Sequence, residues 1–215
     1  MISTIRPYFL FLPFCAGVFL AADDQTVIVT VLPEIMLDLG VPISDIDRAS
    51  WLITGYLVGY TAAIPVMGRV ADRIGHREAF LVALGLFAIG SVFVAISPSL
   101  AAWFGKEDQA VQWMIGARVF QSVGGGAVIP IAIVAAGHLV PSKQHAVAFG
   151  LIGACAEGGA VLGPLWGGVI TNILSWEWTF WLNLPPVALI AILVFHTRKS
   201  HVTKAKVDFV GGLLF

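Results

Sequence analysis

The chain has 215 residues, 58% of them hydrophobic and only 12% charged, with a formal net charge of -1 and a mean hydropathy of +0.90. A soluble domain carries about 25% charged residues, so this chain has too few to coat a water-facing surface, and lipid is the expected solvent for most of it. The near-neutral balance gives no footprint for nucleic acid and no acidic tail. Cys15 and Cys155 sit in apolar stretches with no C-x-x-C or Cys/His spacing, so they read as small hydrophobes, and neither a metal nor a cofactor is expected.

Crossing about 30 Å of hydrocarbon takes roughly 20 helical residues. The first apolar stretch, 8–32, follows Arg6. It is too long for a cleaved signal and is followed by more apolar stretches, so it reads as a retained first helix. Further spans are expected at 51–67, 79–96, 113–137, 146–173 and 179–195. The fold class is therefore an all-α integral membrane protein, with a six-transmembrane-helix domain over 1–196 and a basic linker over 197–208. A last apolar run, 209–215, reads as the truncated start of a seventh span.

Orientation follows from where Lys and Arg fall in the connections. Arg6, Arg69, Arg73, Arg77, Lys143, Arg198, Lys199, Lys204 and Lys206 flank the odd-span starts and even-span ends, while the alternate loops hold Arg48 and Lys106 among many carboxylates. This bias places the N-terminus in the cytoplasm of a cell that carries the chain in its plasma or inner membrane.

Four ionisable residues fall inside the spans: Asp23, Asp24, Arg118 and Glu157. Such groups cost at least about 2.5–3.5 kcal/mol near the bilayer centre on insertion scales, so they face a partner or a cavity. At 1.5 Å per residue, Asp24 lies roughly 24 Å along its span and Arg118 roughly 8 Å into a span that starts outside. Both positions are then in the outer half, where the two side chains can pair, either as a structural tie or as a proton- or substrate-linked site. Glu157, roughly 16 Å into its span, falls near the midplane with no basic residue at its depth. It is expected to face an internal cavity.

Two further patterns concern helix contacts. Gly159, Gly163 and Gly167 repeat every four residues, a smooth ridge for close helix approach, and Pro164 removes a hydrogen bond from the same helix. Between spans two and three runs Gly68-Arg-Val-Ala-Asp-Arg-Ile-Gly-His-Arg77. Here Gly68 and Gly75 are expected to permit a tight turn, with Asp72 and Arg73 capping helix ends or pairing across a moving interface.

This last segment resembles the major facilitator signature G-x-L-A-D-R-x-G-R-R, with Val70 for Leu and His76 for the first of the final basic pair. Gly159-Ala-Val-Leu-Gly-Pro-Leu-Trp-Gly-Gly168 is similar to the antiporter signature G-x-x-x-G-P-x-x-G-G. Arg118-Val-Phe-Gln-Ser-Val-Gly-Gly-Gly126 resembles R-x-x-Q-G-x-G of the fourteen-helix drug/proton antiporters, with Ser122 for Gly. The first-helix stretch 24–33 resembles D-x-T-I-V-N-V-A-L-P, with Val29 for Asn and Thr30 for Val. The stretch 176–185 is similar to W-R-W-I-F-x-x-N-x-P, with Glu177 for Arg.

The resemblance implies an alternating-access exporter of small hydrophobic or cationic compounds, driven by protons, of which this chain is the N-terminal half. Its partners would be the bilayer, protons, the substrate and a missing C-terminal half. It further implies that Asp24, Arg118 and Gln121 are proton-coupling or cavity groups, and that Gly68, Asp72, Arg73, Gly75 and Arg77 form a conformational loop. By the same carry-over Gly159, Gly163, Pro164, Gly167 and Gly168 form a packing hinge. Glu157 lies outside these motifs. Asp23 shares a helical face with Thr26 and Thr30, whereas the motif selects Asp24. A facilitator-type carrier for a specific metabolite and a non-transporting fragment remain alternatives, and an enzyme is not expected, because the embedded polar residues contain no nucleophile with a nearby base.

Overall fold

The computed structural model describes residues 2–197, with side chains from Leu10 onward. The side chain of Arg6, the remainder of the expected linker from Arg198, and the 209–215 stretch lie outside the described residues. Every regular element among the described residues is helical: α1 (Ile2–Asp38), α2 (Ile46–Ile74), α3 (His76–Trp103), α4 (Ala110–Leu139), α5 (His145–Ile173), α6 (Trp178–Trp181) and α7 (Leu184–Phe195). Six helical segments are long and apolar enough to cross a membrane, α6 and α7 together making the sixth. The first five have 28–33 residues, more than hydropathy alone indicates, because the helices continue past their apolar middles into polar ends.

The sixth span is broken where the sequence suggested one run. Neither Pro185 nor Pro186 has a backbone N–H to donate, so both fit best in a helix's first turn. The helix accordingly ends at Trp181 and restarts at Leu184. Asn183 sits at this join, its carbonyl accepting from Val187 N–H at 3.1 Å.

The charged connection between spans two and three also differs from expectation. α2 continues through Gly68, Asp72 and Arg73 to Ile74, and Gly75 alone makes the turn, with φ at 94°. That angle lies in the region open to glycine. Nothing lies within 4 Å of where a Cβ on Gly68 would stand, so the tight geometry does not need it. Asp72 and Arg73 are exposed on the last turn of α2. Arg77 is buried, its guanidinium 4.6 Å from the Phe195 ring centre and 4.0 Å from the Glu78 carboxylate.

Small residues decide which helices touch. α5 lies along α1, and α4 lies between α2 and α3. A Cβ on Gly159 would collide with the Phe19 carbonyl, one on Gly163 with Thr26 Oγ1 and the Asp23 carbonyl, and one on Gly167 would stand 2.7 Å from Val27 Cγ2. Gly168 is at the edge of this contact, 3.5 Å from Thr30 Cγ2, and Pro164 lies inside an unbroken α5. On α4, a Cβ at Gly124 would stand 2.5 Å from Ala83 O and Phe87 N of α3, while Gly126 backs onto the Tyr60 carbonyl of α2. Ser122, larger than the glycine of the resembling motif, fits because Gly59 of α2 faces its hydroxyl.

Two apolar cores result. One joins Phe11, Phe14, Val18, Phe80, Phe87, Ile131 and Val194; the other joins Val27, Ile28, Val31, Leu52, Val94, Met114 and Phe180. On α1, α3, α4 and the sixth span, the buried polar residues Asp24, Ser91, Arg118, Gln121 and Asn183 fall between the two cores.

Gly163→Leu should force α5 away from α1, at a cost of about 1–3 kcal/mol or more for overpacking. Thermal unfolding of membrane-inserted, detergent-extracted protein checks this, with Gly153→Leu as the comparison, since nothing lies within 4 Å of a Cβ at Gly153. A lower Tm for the first variant and an unchanged Tm for the second is the expected result.

Candidate functional site

The polar layer centres on an ion pair. Arg118 Nη1 donates to Asp24 Oδ2 at 2.8 Å, with both residues essentially sealed from solvent, at 0% and 1% exposure. Arg118 Nη2 also donates to the Asp24 backbone carbonyl at 3.4 Å. The other carboxylate oxygen, Oδ1, accepts from Gln121 Nε2 at 3.0 Å and from Asn183 Nδ2 at 2.7 Å. Gln121 returns its carbonyl to Arg118 Nη1 at 2.8 Å and donates to Ser91 Oγ at 2.8 Å. The guanidinium is further covered by the Tyr56 ring at 4.2 Å and the Phe180 ring at 5.6 Å, positions that suit cation–π attraction.

The members come from four spans, each for a local reason. Arg118 and Gln121 are three apart on α4 and so share a face, and Gly90 of α3 backs directly onto Gln121, letting Ser91 reach its amide. Asn183 donates to Asp24 from a stretch whose backbone stays helical, with φ at -67° and ψ at -28°. α1 runs on to Asp38, so Asp24 lies 14 residues, roughly 21 Å at 1.5 Å per residue, from its C-terminal end.

The other candidate residues are distributed differently. Asp23 is half-buried, makes no ion pair or side-chain hydrogen bond among the described residues, and lines a cleft between α1, α5 and α7. Glu157 is exposed on α5, and the described helices by themselves do not enclose it. The reason is register: α5 spends its Gly159, Gly163 and Gly167 face on α1, and Glu157 lies about 120° away from that face at 100° per residue. Gly68, Asp72, Arg73, Gly75 and Arg77 gather at the α2–α3 connection, remote in sequence from the polar layer.

Three participants were not singled out from sequence. Asn183 lay within a recognised motif but without an assigned role, Ser91 was the lone hydroxyl in a long apolar run, and Tyr56 looked like an ordinary aromatic of α2. The buried Tyr56 hydroxyl and Arg118 Nε find no hydrogen-bond partner among the described residues.

Asp24→Leu leaves the guanidinium buried and unpaired, a loss expected to cost about 3–5 kcal/mol, whereas Asp24→Leu with Arg118→Met removes both charges and should cost less than the single change. Chemical unfolding of the three proteins in detergent measures the difference.

The comparisons with known proteins follow this geometry. Residues 14–211 match the model of the Major Facilitator Superfamily. The triacylglyceride transporter of Mycobacterium tuberculosis is 39% identical over 202 residues, covering 92% of this chain and 38% of that protein. A triacylglyceride transporter of Mycolicibacterium smegmatis is 35% identical over 203 residues, covering 92% and 34%. The chain thus spans well under half the length of the curated relatives it matches. Among solved structures, a D-xylose–proton symporter aligns with a TM-score of 0.74 at 17% identity over 90% of this chain and 48% of its own. The inward-open xylose transporter from E. coli aligns at 0.75 and 16%, with the same coverage. The likeness to these solved structures shows that the six-span unit has their fold, and the match over residues 14–211 shows that the chain belongs to the major facilitator superfamily.

Proposed function

We propose that the chain forms the N-terminal half of a proton-coupled exporter of hydrophobic molecules, working by alternating access, with Asp24 and Arg118 as the proton-linked pair. The observation that carries this reading is the sealed Asp24–Arg118 bond, which bridges α1 and α4 at the centre of the bundle. Protonating the carboxylate removes its charge, weakens the pair and frees the guanidinium for another partner, which gives the bundle two electrostatic states that a proton can bias. The glycine contacts between α5 and α1 support the antiporter motif's reading of a packed hinge.

The cargo reading has two arms. The motif resemblance favours hydrophobic or cationic drugs, whereas the printed name of the relatives, triacylglyceride transporter, favours a neutral acylglycerol. On either arm the N-terminus is cytoplasmic, the α2–α3 connection with Asp72, Arg73 and Arg77 acts as a cytoplasmic latch, and Glu157 faces a second half that docks on α5. A facilitator without proton coupling is the competing reading, and a sealed carboxylate that responds to protons separates the two.

Asp24→Asn should mimic the protonated state permanently. In proteoliposomes of the complete transporter it is expected to bind cargo yet lose at least tenfold of the accumulation driven by a pH gradient, while Asp23→Asn keeps its response to the gradient. Equal losses in both variants, or none in Asp24→Asn, would reject Asp24 as the proton site.

A further inference from the structure

We propose that Cys15 and Cys155 form a redox modification site, a dithiol that dioxygen converts to a disulfide joining α1 to α5. The chain holds only these two cysteines, and the α5 glycine ridge sets them against each other. Gly159 backs onto the Phe19 carbonyl, Gly163 onto the Asp23 carbonyl and Gly167 onto Val27. The two helices therefore run in the same direction and advance four residues from each contact to the next. One step before Gly159 and Phe19, the same ladder meets Cys155 and Cys15. Their thiols lie within hydrogen-bonding reach of each other. Close backbone approach along the ridge brings this rung toward the Cα separation of about 4.4–6.8 Å that a disulfide needs.

The surroundings decide which oxidant reaches the pair. Cys15 is buried in the core that holds Phe11, Phe14 and Val18, and Cys155 is half-buried against the same core. Both residues line the cleft between α1, α5 and α7, beside Leu12, Phe19 and Ile190. An ionic oxidant meets the desolvation cost that keeps charges out of lipid, whereas dioxygen is small and apolar and enters freely. Each thiol gives up its hydrogen and one S–S bond forms. The two electrons and two protons pass to dioxygen, which leaves as hydrogen peroxide. Dithiol and disulfide are both uncharged, so the conversion places no charge on the apolar wall. The bond adds a covalent rung next to the glycine contacts and fixes α5 to α1 in a segment where no glycine does so. Cys15 lies five residues from Leu10, roughly 8 Å along the span. On the orientation proposed above that is the cytoplasmic, reducing side, where disulfides are usually transient and redox-sensing rather than permanent.

The test oxidises the full chain, one copy per phosphatidylcholine nanodisc, with air and copper–phenanthroline as catalyst. After denaturation, polyethylene-glycol maleimide counts the free thiols and intact-mass spectrometry weighs the chain. The native protein should lose both thiols together with two hydrogen masses and regain them with dithiothreitol. When oxidised it should unfold at a higher temperature, since a cross-link restricts the unfolded chain. Cys15→Ser and Cys155→Ser should each keep the remaining thiol. Moving one cysteine off the ladder, as Gly153→Cys combined with Cys155→Ser, should slow bridging at least tenfold, since nothing lies within 4 Å of a Cβ at Gly153. Two free thiols in the native chain after exhaustive oxidation would overturn the inference. So would bridging as fast in the Gly153→Cys variant as in the native chain, or an unchanged Tm in the bridged protein.

Discussion

The six-helix unit is organised around one desolvated charge pair. Arg118 and Asp24 are sealed between an apolar core on either side, where a lone charge is very costly and a pair is stabilised by further hydrogen bonds to its remaining lone pairs and protons. That requirement recruits the rest of the layer. Gln121 and Asn183 fill the second carboxylate oxygen, Ser91 fills Gln121, and the rings of Tyr56 and Phe180 cover the guanidinium. Four spans are thereby tied at one level through shared partners, so any change in the charge of Asp24 is felt on α1, α3, α4 and the sixth span together.

Close backbone approach makes this layer possible. In lipid, helices gain little from burying apolar side chains against one another, and van der Waals contact between small residues takes over. Gly90 brings α3 onto Gln121, Gly124 and Gly126 bring α3 and α2 onto α4, and the α5 glycines bring α5 onto α1. The same economy leaves surfaces unused. α5 commits one face to α1 and leaves Glu157 and the cleft-lining residues on others, and α2 is similarly exposed along much of its length. A unit whose second and fifth spans are the least covered has room for another body to dock there, consistent with a chain that spans well under half of its curated relatives.

The sixth span shows how local chemistry sits beside the site. Neither Pro185 nor Pro186 can donate a backbone hydrogen bond, so the helical ladder is interrupted next to Asn183 while its backbone dihedrals stay helical, and its amide donates to Asp24 Oδ1 at 2.7 Å.

Much was legible in the sequence alone. Apolar stretches about 20 residues long can only be spans in a chain this poor in charge, so the all-helical class and the six spans followed from hydropathy and length. The glycine repeat named the face that α5 would use, and the charges buried in α1 and α4 announced that they needed partners. Tertiary structure decided what one-dimensional periodicity cannot carry. Asp23 and Asp24 are adjacent, and both fit a polar stripe; only the packing of α4 against α1 sends Asp24 into the sealed layer and leaves Asp23 on a cleft. The depth of Glu157 was legible, but its azimuth was set by the packing of α5 on α1, which leaves it exposed and off the contact face. Ser91, Tyr56 and Asn183 carried no signal of their own, because a single hydroxyl, ring or amide acquires a role only from the neighbours that other helices place around it.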